Sequence, residues 1–183
     1  MVNGKHGISA TTPENILLGA GTIHRGLVVA DGKVTQYGDI IGCTSGGNSV
    51  EIKGEIVNIE LDGALVKVKG LAVMQGGTAV MECNFAEVSE EVIKMGLIGK
   101  AENGVITPKA TIEEGDYVSG FAFVGKTAND AKEIIVVFEN ALCTSGIKIE
   151  GKAKENSVVA LTMEAYAENS GNLDTIPVQI LYA

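Results

Sequence analysis

From Ser49 onward apolar and polar residues alternate with a period of two, Val50 and Ile52 pointing opposite to Glu51 and Lys53, which is the pattern of a half-buried strand. Val57, Ile59 and Leu61 continue it. Asp62-Gly63 is a favoured pair for a type I′ turn, and Leu65 to Lys69 resumes as a lysine-interleaved run, so residues 49–69 read as a long hairpin with one apolar and one charged face. Gly46-Gly47-Asn48 ahead of it supplies residues that tolerate positive φ. Such a ribbon cannot bury both faces in a small domain, and a neighbouring copy is a plausible cover for the protruding part.

The same pattern predicts further strands at Ile16–Leu18, Leu27–Ala30 with an Asp31-Gly32 turn, Thr78–Ala86, Tyr117–Val124, Glu133–Leu142, Ile147–Glu150, Ser157–Ala167 and Thr175–Tyr182. Met81, Cys83 and Phe85 share one face of their strand, and Val159, Leu161, Met163 and Ala165 share one face of theirs. Pro177 favours an edge position or a bulge. One segment breaks the period. Ser89 is a good N-cap, Glu90 and Glu91 suit the positive end of a helix dipole, and Gly99 can stop the turn, so 89–98 predicts a short helix with Val92, Ile93, Met95 and Leu97 as its apolar stripe and a Val88–Ile93 staple. Residues 1–13 are polar and aperiodic and read as an arm, leaving 14–183 as a single β-rich domain. Cys-Thr-Ser-Gly occurs twice, at 43–46 and 143–146, each time as a small turn-forming word.

Composition sharpens the picture. A chain of 183 residues with 45% hydrophobic content can bury a real core, and 24 glycines, 4% aromatics and no tryptophan suit many turns and aliphatic strands. The expectation is a mostly β fold, a β-sandwich or barrel of antiparallel strands with one short flanking helix and a long protruding hairpin. A net charge of −9 argues against a protein built to hold nucleic acid, because that affinity comes from lysine and arginine at phosphates. Three unspaced cysteines fit a reducing compartment, and the absence of a leader or an apolar span predicts a chain that is neither exported nor membrane-embedded.

The motifs of chemistry are sparse. Gly42 to Gly47 has the glycines of a phosphate loop, but Asn48 stands where the lysine belongs. His6 and His24 are the two histidines, with no metal-ligand spacing, and no nucleophile elbow is present. Glu113, Glu114 and Asp116 form the densest acidic cluster and read as a solvated loop. The expectation is a non-enzyme with no cofactor and no catalytic or metal residue. Two rivals stay open: a lipocalin-like ligand barrel, and a small enzyme using Cys43 or Cys143 as nucleophile.

The block Ile41-Gly42-Cys43-Thr44-Ser45-Gly46-Gly47-Asn48-Ser49, the Ile59-Glu60-Leu61-Asp62-Gly63 turn, the Val68-Lys69-Gly70 close and the ending from Glu139 to Ala183 together resemble the tail tube, or major tail, proteins of long-tailed bacteriophages. The likeness runs from about Asn15 to Tyr182 and rests on the order of short glycine-driven pieces. It implies a structural virion protein assembled in the bacterial host's cytoplasm, six copies to a ring, with rings stacked into a tube that conducts DNA. The inner tube of a contractile tail is the nearer alternative. Partners implied are other copies, tape measure and tail terminator proteins, and double-stranded DNA in passage, with no membrane. The inter-subunit hairpin residues would be Gly46, Gly47, Asn48, Asp62, Gly63, Lys67 and Lys69, and Glu51, Glu55 and Glu60 would be lumen-facing acids.

Overall fold

A computed structural model describes residues 7–128, 132–151, 153–154, 156–171 and 173–182. Among these described residues, twelve strands and one α-helix are arranged in chain order as β1 (Leu17–Arg25), β2 (Val28–Ala30), β3 (Lys33–Gln36), β4 (Asp39–Ile40), β5 (Ser49–Asn58), β6 (Ala72–Phe85), α1 (Glu90–Leu97), β7 (Gly99–Glu102), β8 (Val105–Pro108), β9 (Val118–Thr127), β10 (Glu133–Cys143), β11 (Val159–Tyr166) and β12 (Val178–Tyr182). The main sheet is antiparallel in the order β4-β1-β9-β10-β11-β6-β5, with β12 also on β10, and the hairpins β2–β3 and β7–β8 stand apart from it. The fold is mostly β, as the alternation predicts. Among the described residues the sheet does not close into a barrel; its two limbs fold over one core as in a sandwich.

The ribbon β9–β10 lies at the centre. One face carries Phe121, Phe123, Val136 and Phe138 into the main core against Met81, Phe85, Leu161 and Met163. The other face carries Ala122, Val124, Ile135 and Val137 into a second core with Leu27 and Leu181, roofed by Val29 and Val34 of the β2–β3 hairpin. Burial on both sides explains why these strands read as nearly continuous apolar runs. Fully burying each large side chain contributes roughly 1.5–3 kcal/mol.

The roof is possible because Gly120 has φ +59 and its carbonyl accepts the Leu27 N–H at 3.0 Å; a Cβ at Gly120 would stand 2.4 Å from the Leu27 carbonyl oxygen. On the opposite strand the Glu139 N–H bonds to the Pro177 carbonyl at 3.1 Å. Phe138 and Ala141, of opposite parity, both belong to the main core, so β10 exchanges its faces across Glu139–Asn140 and hands the sheet on to β11.

The Thr78–Ala86 pattern is the inner part of β6, which starts earlier, at Ala72, and ends at Phe85, and Met81, Cys83 and Phe85 are all fully buried. Ser89 caps α1 by accepting the Val92 N–H at 3.2 Å, but the helix ends on Ile98 in the left-handed region rather than on Gly99. Its inward contacts are Val92, Met95 and Gly96, the last pressed against Leu161 and Ile147, while Ile93 and Leu97 are half-buried. Ile147–Glu150 is not a strand, and Pro177 precedes β12 rather than interrupting it.

The hairpin differs most from expectation. Strand β5 ends at Asn58 and pairs with β6, from Ser49↔Glu82 to Asn58↔Ala72, so the return strand is Ala72–Phe85 and not Leu65–Lys69. Residues 59–71 are a loop at its end. Asp62-Gly63 does form a turn, Ala64 N–H to Leu61 carbonyl at 3.1 Å, but only Gly63 has positive φ, as in a type II turn. Type I′ geometry, with positive φ at both central residues, appears instead at Asp31-Gly32 in β2–β3 and at Asn103-Gly104 in β7–β8, a hairpin that the strand reading passed over.

Candidate functional site

The β5–β6 hairpin begins as part of the core and leaves it along its own length. Its inner row runs Val50/Met81, Ile52/Ala79, Gly54/Gly77, Ile56/Met74 and Asn58/Ala72. Met81 is fully buried and Val50 packs on the core, yet Ile56 and Met74 further out are 63% and 66% exposed. A β-bulge at Gln75-Gly76 opposite Glu55, with Gly76 at φ +86, bends the outer part. At the end, Leu65 is 99% and Val66 76% exposed, and Ile59, Leu61 and Val68 are also uncovered. The outer edge of β5 has no strand beside it among the described residues. An apolar ribbon with an open edge leaves both side-chain surface and backbone hydrogen-bonding groups exposed.

The named glycines and Asn48 stand at the root of this hairpin. Gly46 and Gly47 both have φ +88. Asn48 donates through Nδ2 to the Ala20 carbonyl at 2.9 Å and to Thr44 Oγ1 at 3.1 Å, and its Oδ1 accepts the Asn84 N–H at 3.2 Å. Asn84 returns a bond to the Gly47 carbonyl at 2.7 Å. These bonds tie the β1 edge to the start of β5 and the end of β6, so Asn48 is a clasp inside the chain that fixes where the hairpin sets out. Asp62, Gly63, Lys67 and Lys69 lie in the exposed loop.

Glu51 and Glu55 sit on the outer, solvent-facing side of β5 with Lys53, as alternation predicts. Glu60 is exposed but lies beyond the strand, so the face shared by the other two does not include it. The two Cys-Thr-Ser-Gly words occupy parallel settings. Ser45 N–H bonds to the Asn84 carbonyl beside β6, and Thr144 N–H bonds to the Thr162 carbonyl beside β11.

The acidic cluster is not a freely solvated loop. The Asp116 side chain is nearly buried, accepts the Glu113 N–H at 2.8 Å and meets Lys109 Nζ at 2.7 Å, while Lys109 also reaches Glu113 at 2.8 Å. Burial pushes the Asp116 carboxyl up, but the Lys109 hydrogen bond, the Glu113 amide and the charges of Lys109 and Lys94 outweigh it and hold the carboxyl below its ordinary value. Hydrogen bonds to Asp116 and then Glu113 raise the Lys109 ammonium. Nearby, Arg25 pairs with Glu91 of α1 and with Asp39 at 3.6 Å beside an open cleft of about 380 Å³. The sequence offered no spacing signal for the Arg25 cluster, whose members come from separate elements, whereas Lys109–Glu113 at i,i+4 and the Glu113–Asp116 capping box are local spacings that the sequence reading passed over.

Burial pushes the Cys83 thiol up to about 12, with the neighbouring Cys143 adding to it, so Cys83 is an inert core residue; Cys143 is also buried and Cys43 is exposed. His24 is buried, with Nε2 2.8 Å from Thr22 Oγ1 and Nδ1 3.1 Å from the Tyr37 carbonyl, and His6 lies outside the described residues. Among the described residues no group of three or more His, Cys, Asp or Glu could hold a metal, and no helix is long and apolar enough to cross a membrane.

No protein-family model matches the chain, and no curated protein does. A similar backbone occurs in a solved structure, the tail of an empty GTA particle computed with helical refinement and C6 symmetry. It is 12% identical, with a TM-score of 0.44, and the match covers 84% of this chain and 96% of that one. A likeness this distant carries no functional weight.

Proposed function

We propose that this chain is a structural subunit that assembles with copies of itself into the tail tube of a phage-like particle. The observation that carries the reading is the hairpin: a ribbon continuous with the core whose apolar inner face, open edge and apolar loop have no cover among the described residues. A monomer keeping such a surface in water would aggregate without order, whereas regular self-assembly removes it. The sequence resemblance gives that assembly a form, six-membered rings stacked into a tube, with the arm of residues 1–13 and the hairpin bridging copies. Tape measure and tail terminator proteins are then its partners at the tube's interior and end, and the virion is its place.

For a conduit, acidic walls keep phosphates from settling, and exposed Glu51 and Glu55 beside the hairpin edge suit such a wall. Electron microscopy of the purified protein tests the assembly: stacked rings or hollow filaments are expected, and a monodisperse monomer at high concentration contradicts the reading. The wall is tested separately. Assembled tubes should not retain double-stranded DNA at physiological salt, whereas Glu51→Lys with Glu55→Lys should retain it in a salt-dependent way.

A further inference from the structure

The main core has two layers, and each overhangs the other. On the hairpin side the inner row continues past its cover as Ile52, Ile56 and Met74. On the sheet side the row that buries Phe138 and Val136 continues as Ile134, Ile180 and Tyr182, since Val178, Ile180 and Tyr182 pair with Phe138, Val136 and Ile134. Ile180 is 63% and Tyr182 53% exposed although they share a face with buried core residues. The two overhangs start from one point, where Ile176, just before β12, lies over Gly77. From there they run in the same direction without covering one another, and a notch of about 650 Å³ opens between the hairpin base and residues 173–177.

We infer that the sheet wall of Ile134, Ile180 and Tyr182 is the receptor for the hairpin wall of Ile52, Ile56 and Met74 of a second copy. This rests on the self-assembly reading and names the surface that the hairpin meets. Each wall lacks the layer that the other supplies, and identical copies carry both, so every copy can give one wall and receive the other. Lys132, with its ammonium 4.8 Å from the Tyr182 ring centroid, borders the sheet wall. Because the two surfaces differ, the contact is head-to-tail: it propagates into a ring or stack instead of closing as a two-fold pair.

The test is a double variant, Ile56→Cys with Ile180→Cys, in a Cys43→Ser background that leaves Cys83 and Cys143 buried. Mild oxidation of the assembled protein should give a ladder of disulfide-linked multimers on a non-reducing gel, and Ile56→Cys with Val105→Cys, on exposed β8, should give none. A linked monomer of altered mobility would show the hairpin folding back on its own sheet and would overturn the inference. Tubes that form normally but yield no ladder would overturn this receptor surface while leaving self-assembly standing. Failure of the unmodified protein to assemble would remove both readings.

Discussion

The β9–β10 ribbon and the β5–β6 hairpin are both long antiparallel pairs, yet one is buried on two faces and the other loses cover along a single face. The ribbon's neighbours are supplied within the chain: the β2–β3 roof on one side and the folded-over limb on the other. The hairpin's root is supplied by the Asn48 clasp, and its outer part by nothing among the described residues. Stability is therefore concentrated in the ribbon, and the proposed association would fall to the hairpin. Two structures of the same class do different jobs because of what lies across from them.

The sharpest break in this comparison sets Phe138→Ala against Ile56→Ala. Phe138 is fully buried, so its truncation should cost about 3–5 kcal/mol and leave little folded protein by chemical denaturation. Ile56→Ala should change monomer stability by less than about 0.5 kcal/mol while sharply reducing sedimentable assemblies. Similar losses of stability from both would erase the distinction.

Asn48→Ala probes the junction of the two regions. It leaves the Asn84 N–H and the Ala20 carbonyl without their partner, a cost of about 1–3 kcal/mol, and it should loosen the hairpin root before the ribbon. Faster proteolysis confined to residues 46–72 is the expected signature. Uniform cleavage would show that the clasp holds the whole fold.

Asp116 and Lys109 lie away from the hairpin and should act on stability alone. Because the folded carboxyl is held below its unfolded value, its contribution is complete above about pH 4 and is lost as pH falls through the lowered value. The raised Lys109 ammonium contributes fully below about pH 10.4 and is lost as pH rises beyond it. Asp116→Asn should therefore melt lower than the parent at pH 7, and the gap should narrow on acidification. A gap that stays constant down to pH 2 would show that charge is not the cause.

Much of this architecture was legible in the sequence, and the misreadings share a cause. Period-two alternation found the β6 face of Met81, Cys83 and Phe85 and the face of β11 because each packs against one continuous core. The Ser89 cap was legible because it is a local hydrogen bond. The turn reading named Asp62-Gly63 and passed over Asn103-Gly104; both pairs accept positive φ, and the strands on either side decide which adopts it. Leu65 to Lys69 alternates like a strand but has no partner strand, since β5 is already paired with Ala72–Phe85. The Arg25–Glu91 pair and the sheet wall at Ile180 depend on contacts between distant segments, which spacing does not reveal. Tyr182, for instance, donates its hydroxyl to Asn15 Oδ1 at 2.5 Å across nearly the whole chain.

The central claim, that the hairpin is completed by another copy and not by its own chain, is tested most directly by amide hydrogen exchange in the dilute monomer and in the assembled form. Ribbon amides in 121–126 and 134–138 should be strongly protected in both states. Amides in 52–58 and 72–77 should exchange quickly in the monomer and become protected, by at least about tenfold, on assembly. Equal protection of the hairpin in both states would mean that it is completed within the chain, contrary to this account.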